Sequence, residues 1–205
     1  MEARIRGMFQ DSAAVKLQFA QEQAGRVADL ARRMADVLRA GGKILFAGNG
    51  GSAADAQHLA AEFVNRFLRD RQALAAVALT TDTSVLTSIG NDLGFDQVFS
   101  RQIEALGRPG DLFVAISTSG NSLNLLAAVA TARKVGIATV ALTGGSGGRL
   151  ASAVDQAFIV PSGETPRIQE THITLGHALC ALVEDSLAVP QASREAPART
   201  GEQKG

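Results

Sequence analysis

The chain has 205 residues, 46% of them hydrophobic, with 21 glycines and neither Trp nor Tyr. Twenty basic residues balance twenty acidic ones, so no surplus of charge attracts nucleic acid or an anionic membrane. The single cysteine, Cys180, excludes an internal disulfide framework. No apolar stretch has the form of a signal peptide or the length of a membrane span. We therefore expect a cytoplasmic α/β protein that binds neither nucleic acid nor membrane.

Residues 3–40 have the periodicity of a helix. One apolar stripe runs along it through Val27, Leu30, Met34 and Leu38. The pair Asp11 and Ser12 has the composition of an N-cap, which predicts a break or a second start of the helix there. Phe9 and Phe19 would add exposed apolar area to an isolated helix. We expect the helix to cover the sheet with one part and to pack against other subunits with another.

Five strand-like segments follow and alternate with segments of helical pattern: KILFAG, LAAVALT, LFVAIST, TVALTG and QAFIVP. They are apolar almost throughout, as expected for parallel strands covered on both faces. The sequence therefore predicts a three-layer, doubly wound, five-stranded parallel sheet. We divide the chain into an N-terminal helical segment at 1–40, an α/β domain at 41–189 and a flexible tail at 190–205.

Three loops rich in glycine and hydroxyl groups follow strands of this sheet: GNGGSAAD (48–55), STSGNS (117–122) and TGGSGG (143–148). The carboxyl ends of parallel strands share one edge, where ligands usually bind. Glycines let the backbone approach an anion, and the next helix offers free N–H groups. Turns and helix caps use the same residues, which is the favoured interpretation of TGGSGG alone. STSGNS holds more hydroxyls than a cap can use, so it is predicted to bind phosphate.

A dinucleotide site is the less favoured interpretation of the first loop. Gly48, Gly50 and Ala53 satisfy the G-x-G-x-x-A pattern between a strand and a helix. The acidic residue that completes this fingerprint lies about 20 positions further on. The nearest candidate, Asp82, lies 29 residues after Ala53, so the fingerprint is weak evidence for NAD.

Two helical segments carry residues of the kind that bind a divalent metal. His58 and Glu62 are four residues apart and share one helical face. Gln169 and His177 are eight residues apart, which is about 80° around a helix axis. Together they would supply four zinc ligands. A His–Glu pair at this spacing is more often an exposed helix pair, so spacing alone leaves both interpretations open.

Two neighbouring residues are excluded from this metal set. His172 lies about 140° from His177 on an ideal helix and is expected to face elsewhere. Cys180, about one turn beyond His177, is interpreted as a small packing residue.

The segments GNGGSAADAQHLAAEF, LTTDTSVLTSIGND, AISTSGNS and RIQETHITLGH together resemble the sugar isomerase (SIS) family, and within it the phosphoheptose isomerases. The similarity runs from about residue 5 to about residue 188, with the motifs in the same order and spacing. The resemblance implies a flavodoxin-like SIS domain, a homotetramer and a phosphorylated seven-carbon sugar as substrate. It implies interconversion of D-sedoheptulose 7-phosphate and D-glycero-D-manno-heptose 7-phosphate, which supplies nucleotide-activated heptose for lipopolysaccharide and other cell-surface polysaccharide.

The resemblance also implies the roles of individual residues. A metal, usually zinc, is expected at His58, Glu62, Gln169 and His177. Substrate contacts are expected at Asn49, Gly50, Gly51, Glu62, Asn91, Asp92, Ser117, Thr118, Ser119, Ser122 and Gln169. We assign Glu62 as the base that moves the carbon-bound proton of an enediol mechanism, and His177 as the acid that serves the sugar oxygens. A carboxylate committed to zinc is a weaker base, so either the ligands partly exchange, or Asp92 or a water takes one role.

The alternative function is that of a non-catalytic SIS tetramer that binds a replication initiator protein. A close relative of this kind shares the AQH, NRF and RIQE segments but lacks the acidic and second-histidine positions of the metal set. This chain has both, as Glu62 and His177. The sequence therefore favours the isomerase.

Overall fold

A computed structural model describes residues 1–188 of the chain. Its helices are α1 (Glu2–Arg39), α2 (Gly51–Val64), α3 (Thr83–Asp92), α4 (Ser100–Leu106), α5 (Leu123–Val135), α6 (Gly148–Ala153) and α7 (Thr165–Ala188), with a short 3₁₀ helix at Phe95–Gln97. Its strands are β1 (Ile44–Gly48), β2 (Ala76–Ala78), β3 (Leu112–Ile116), β4 (Ala138–Gly144) and β5 (Gln156–Val160). The predicted flexible tail, 190–205, lies outside the described residues.

Each of the five predicted strand segments forms a strand, and all neighbouring strands are parallel. The spatial order is β2-β1-β3-β4-β5, which is the flavodoxin-like order. Every residue of β1 and β3 is buried, as their unbroken apolar sequences predict. The predicted doubly wound fold is confirmed.

The sheet lies between two layers of helices because alternate strand residues point to opposite faces. Ile44 and Phe46 of β1 belong to one apolar cluster, which also takes residues from α1, α2 and α7. Leu45 and Ala47 belong to a second cluster, which takes residues from α3, α4, α5 and α6. The predicted three-layer arrangement is therefore confirmed, and α2 and α7 share one face of the sheet.

Helix α1 is continuous from Glu2 to Arg39, so the predicted break at Asp11–Ser12 is wrong. A capping composition is a local signal that tertiary packing overrides. Here α1 packs along α7, and the guanidinium of Arg167 in α7 donates a hydrogen bond to the carbonyl of Met8. This contact lies just before the predicted break and keeps the two helices together there.

The two ends of α1 differ in burial. Phe19 is buried in the core beside α7, whereas Phe9 is 76% exposed. Ile5, Met8 and Leu17 are exposed as well. The second half of α1 thus covers the sheet, and its first half has apolar side chains exposed on the surface. Among the described residues, no helix combines the length and the apolar character needed to cross a membrane.

Candidate active site

The loop after β1 is fixed to the start of α5 by a pair of side-chain amides. Gly50 turns the chain with a φ of 55°, and α2 begins at the next residue. The Asn49 amide donates to Oδ1 of Asn124 at 3.0 Å, and the Asn124 amide donates back to Asn49 at 2.9 Å. Asn124 is buried. The sequence analysis missed Asn124. A polar residue inside the apolar run LNLL indicates a buried side chain that needs a hydrogen-bond partner.

The hydroxyls of the STSGNS loop do not cap the helix that follows. Ser122 occupies the N-cap position of α5, yet its side chain makes no cap hydrogen bond. Its hydroxyl lies 3.2 Å from the hydroxyl of buried Ser117, which also accepts a hydrogen bond from the backbone N–H of Gly120. Thr118 and Ser119 are more open to solvent. The loop is thus held by its own contacts, and the beginning of α5 has no side-chain cap.

The TGGSGG loop packs directly against STSGNS. A Cβ at Gly120 would overlap the carbonyl oxygen of Gly147. The Asn121 side chain joins the two loops, because its Nδ2 donates to the Ser119 carbonyl at 2.9 Å and its Oδ1 accepts from the backbone N–H of Arg149 at 3.1 Å. The glycines of the third loop therefore permit a close approach that supports the second loop. Asn121 was also missed from the sequence.

A polar cavity of about 250 Å³ lies between these loops and the start of α7. Thr118 and Ser119 line one side, and Gly145, Ser146 and Thr165 line another. Its lining combines hydroxyls and backbone groups, which are the uncharged donors that hold an anion at a strand–helix turn.

Helices α2 and α7 bring three of the predicted side chains together. Nε2 of His58 lies 2.8 Å from Nε2 of His177, and Oε1 of Glu62 lies 3.5 Å from the same His58 nitrogen. A Cβ at Gly176 would overlap the Leu59 side chain, so this glycine lets α7 come close to α2 just beside the histidines. His177 therefore meets His58 and Glu62, which lie more than a hundred residues before it in the sequence, at one point.

Gln169 contacts the beginning of α2. Its side-chain amide lies against Gly51, where any Cβ would overlap it, and it interacts with the carboxylate of Asp55. Burial raises the pKa of Asp55, and this amide together with the charge of His58 offsets the rise only in part. Oδ2 of Asp55 is buried and has no hydrogen-bond partner within the described part of the chain. Gln169 thus lies beside the first loop, about two turns along α7 from His177.

The donor set suits zinc in kind, since imidazole nitrogens and a carboxylate oxygen are its common ligands. Between residues 1 and 188, however, no group of three His, Cys, Asp or Glu side chains is arranged to hold a metal ion.

Asn91 and Asp92 lie apart from these groups. They end α3, both are exposed, and the Asn91 amide donates to the Asp92 carboxylate at 2.7 Å. Within residues 1–188, no hydrogen bond joins either side chain to the three loops. Their contact with a substrate stays a prediction.

The residues set aside by the sequence analysis have structural contacts. His172 is buried, and its Nε2 donates to the carbonyl of Thr143 in β4 at 3.0 Å. Cys180 is buried as a free thiol. Asp82, the weak candidate for a dinucleotide site, caps α3 by accepting from the backbone N–H of Val85 at 2.9 Å. His172 thus supports the first residue of the TGGSGG loop.

Comparison with known proteins identifies the family. A family model described as the SIS domain matches residues 8–144. A phosphoheptose isomerase from Desulfovibrio desulfuricans is 59% identical over 174 residues, which are 85% of this chain and 83% of that protein. One from Aquifex aeolicus is 52% identical over 185 residues, or 90% of this chain and 97% of that protein. The chain belongs to the phosphoheptose isomerases of the SIS family.

The solved structures agree with this membership. A phosphoheptose isomerase from Neisseria gonorrhoeae superposes with a TM-score of 0.85 at 47% identity, covering 90% of this chain and 98% of that one. The resemblance read from the motifs is therefore confirmed, and so is the assignment of this SIS family member to the isomerases.

Proposed function

We propose that this isomerase interconverts D-sedoheptulose 7-phosphate and D-glycero-D-manno-heptose 7-phosphate. The observation that carries the proposal is the meeting of His58, Glu62 and His177 in a phosphoheptose isomerase family member. Ketose–aldose isomerisation moves a proton from C1 to C2 through a cis-enediol and needs a second group for the oxygens O1 and O2. Paired carboxylate and imidazole groups can perform these two tasks.

The STSGNS loop anchors the phosphate of this substrate. Two observations support this role. The Ser122 hydroxyl does not cap α5, and a polar cavity lies beside Thr118 and Ser119. Backbone N–H groups and hydroxyls hold a phosphate dianion without a Lys or Arg. Binding energy gathered at this remote group aligns C1 and C2 with the catalytic side chains.

Glu62 removes the proton from C1 of the ketose and returns it to C2 of the enediol, on one face of the sugar. Its side chain is only 23% exposed, so the carboxylate is held rather than freely solvated. His177 moves the proton between O1 and O2, whose charges alternate during the reaction. Asn49, Gly50 and Gly51 of the first loop contact the sugar, and the buried amide of Asn124 fixes Asn49 for this purpose.

We also propose one zinc ion per subunit, held by His58, Glu62, Gln169 and His177. The support is the chemistry of the donors and the convergence of His58, Glu62 and His177 on one point. When bound, zinc supplies Lewis-acid stabilisation of developing negative charge on the sugar oxygens. A carboxylate oxygen or imidazole nitrogen that binds zinc cannot move a proton at the same time, so the ligands would partly exchange when the sugar binds, or Asp92 or a water would take one role.

The assembly we propose is a homotetramer in the cytoplasm, where its product supplies nucleotide-activated heptose for lipopolysaccharide. Exposed apolar residues along the first half of α1 support an interface between copies: Ile5, Met8, Phe9 and Leu17.

The deciding experiment is an isomerisation assay on sedoheptulose 7-phosphate with the purified protein, before and after treatment with a chelator. We expect the heptose 7-phosphate to form, activity to fall after chelation, and zinc to restore it. Metal analysis of the same sample is expected to give about one zinc per subunit. A metal-free tetramer without turnover would overturn the proposal and would favour the replication-initiator partner.

A further inference from the structure

The loop that follows α2, residues 65–72, is wrapped around one buried carboxylate from α7. Glu184 is 3% exposed, and its two oxygens accept four hydrogen bonds. Three come from consecutive backbone N–H groups, of Phe67 at 2.8 Å, Leu68 at 2.9 Å and Arg69 at 3.1 Å. The fourth comes from Nε of Arg71 at 2.8 Å. We call these contacts the Glu184 clasp.

The clasp needs a charged carboxylate. Burial alone would raise the pKa of Glu184, but the three backbone N–H donors and Arg71 outweigh it and hold the pKa below its ordinary value. If the carboxylate became an amide, one of its two acceptor oxygens would be replaced by an NH2 donor. The four donors would then lose their acceptor or share one uncharged oxygen, which is a weaker acceptor.

The first connection from the clasp to the site runs through Arg71. Its Nη2 donates to the carbonyl of Glu62 at 2.8 Å, and its Nη1 donates to the carbonyl of Phe63 at 2.9 Å. These carbonyls lie at the end of α2, whose last turn contains no basic residue of its own. The Phe63 carbonyl also accepts from the backbone N–H of Leu74 at 3.1 Å. The guanidinium adds donors for these helix-end carbonyls and offsets the negative end of the helix dipole. Arg71 therefore fixes the backbone that carries Glu62.

The second connection runs through Phe67. Its backbone N–H is held by Glu184, and its ring stacks on the imidazole of His177 with centroids 5.4 Å apart and planes at 23°. Glu184 lies seven residues after His177 on α7, which is about two turns, so both side chains lie on one face of that helix. The clasp thus fixes the ring that covers His177.

We propose that Glu184 and Arg71 are positioning residues for the isomerisation: together they hold the Glu62 backbone and the Phe67 ring, and so set the geometry between Glu62 and His177. This inference rests on the proposed function of those two side chains. Neither Glu184 nor Arg71 touches the sugar in this account; they act through the groups that do.

A second buried carboxylate offers a matched control. Asp111 is also 3% exposed, and it accepts from the backbone N–H of Lys43 at 2.9 Å, the Lys43 ammonium at 2.6 Å and the backbone N–H of Arg108 at 2.8 Å. It immediately precedes β3 and holds the residue before β1, so it lies at the amino edge of the sheet, opposite the site. Its chemistry matches the Glu184 clasp, but its location does not.

The experiment compares Glu184→Gln with Asp111→Asn in the full chain with its metal. Both variants are expected to unfold at lower denaturant concentration than the wild type. Glu184→Gln is expected to lower kcat by about tenfold or more and to change KM by less than about twofold, because misplaced catalytic groups slow the reaction while the phosphate anchor is untouched. Asp111→Asn is expected to keep both constants. Arg71→Met provides a second variant should Glu184→Gln fail to fold.

Histidine NMR supplies a readout independent of turnover. The chain has three histidines, so the ring C–H signals of His58, His172 and His177 can be assigned by substitution. We expect Phe67→Leu and Glu184→Gln to move the His177 signal and leave His172 unchanged, because only His177 stacks on Phe67. Asp111→Asn is expected to move neither.

Two results would overturn the inference: kinetics of Glu184→Gln or Arg71→Met that match those of Asp111→Asn, or a His177 signal unchanged by loss of the clasp. A wild-type protein that fails to isomerise sedoheptulose 7-phosphate is a different result. It would remove the proposed function, and with it the catalytic meaning of the clasp, whereas an active wild type with a fully active Glu184→Gln removes the positioning role alone.

Discussion

The two edges of the sheet use polar groups in opposite ways. At the amino edge, Asp111 is buried with three donors around it, and Asp155 accepts from both the backbone N–H and the hydroxyl of Thr139. At the carboxyl edge, several buried polar atoms have no hydrogen-bond partner among the described residues. These atoms are Asp55 Oδ2, Thr143 Oγ1, Arg167 Nε, Glu170 Oε2 and His172 Nδ1.

The difference between the edges indicates that one serves stability and the other function. Every buried atom without a hydrogen-bond partner belongs to the end of β4 or to a helix that follows β1 or β5. Native proteins leave few buried polar groups unpaired, so such a concentration calls for an explanation. The amino edge closes the fold with its own hydrogen bonds, while the carboxyl edge, where we propose that the substrate binds, leaves buried polar atoms unpaired within residues 1–188. Variants at the two edges should therefore have different consequences.

The largest contrast is expected from Glu62→Gln. We expect it to lower kcat about a thousandfold, because an amide cannot take the carbon-bound proton, while the fold and the binding of the phosphorylated sugar remain. Glu104→Gln, on the surface of α4, is the matched change and should leave kcat unchanged. Steady-state kinetics measures kcat, and calorimetry measures the affinity for the phosphorylated sugar. Near-normal turnover in Glu62→Gln would transfer the base role to Asp92 or a water.

The pH dependence of stability should also come from the carboxyl edge. Burial lowers the pKa of His172 to about 4, against an ordinary value of 6.5, while its hydrogen bond to Thr143 acts weakly in the other direction. The unfolded chain then binds more protons between these two values, so stability is complete above pH 6.5 and falls as the pH drops towards 4.

The corresponding variant is His172→Gln, whose amide can still donate to the Thr143 carbonyl. Between pH 7.5 and pH 5 the wild type should lose about 2 kcal/mol more free energy of unfolding than this variant. Denaturant unfolding at the two pH values gives the difference. Equal losses in both proteins would show that His172 is not kept neutral by burial.

A smaller effect is expected from the amide pair. Asn124→Ala removes both hydrogen bonds of the Asn49 side chain and should lower kcat/KM about tenfold. Thr139→Val, which removes two partly buried hydrogen bonds between the Thr139 hydroxyl and Asp155 at the amino edge, should reduce stability and leave kcat/KM unchanged. If the two variants lowered kcat/KM equally, the distinction between the edges would be lost.

The smallest predicted change concerns the phosphate loop. Ser119→Ala should raise KM for the phosphorylated sugar roughly fivefold with little change in kcat, because one uncharged donor of several is lost. Ser152→Ala on α6, whose hydroxyl donates to the Arg149 carbonyl of its own helix, is the control. An unchanged KM for Ser119→Ala would leave the loop as a structural turn.

The sequence alone predicted the features that depend on local pattern. The five apolar segments gave the strands, and family motifs singled out His58, Glu62 and His177, which the fold does bring together. The break at Asp11–Ser12 was wrong because a capping composition has less influence than packing along a whole helix.

The residues that hold the site in place were missed for a different reason. Asn124 bonds to a residue 75 positions away, and Glu184 bonds to residues more than a hundred positions away. No local sequence pattern predicts which distant residue will form a hydrogen bond with an Asn at the start of a helix or a Glu near its end. Only the fold shows that these side chains support Asn49, Glu62 and His177.

Hydrogen exchange during turnover tests the central claim most directly. Sedoheptulose 7-phosphate is incubated in D₂O with the wild type and with Glu62→Gln, and NMR follows deuterium at C1 of the ketose and C2 of the aldose. An enediol formed by Glu62 predicts deuterium at these carbons with the wild type and none with the variant. Product formed without any solvent deuterium, or equal incorporation by both proteins, would contradict the account.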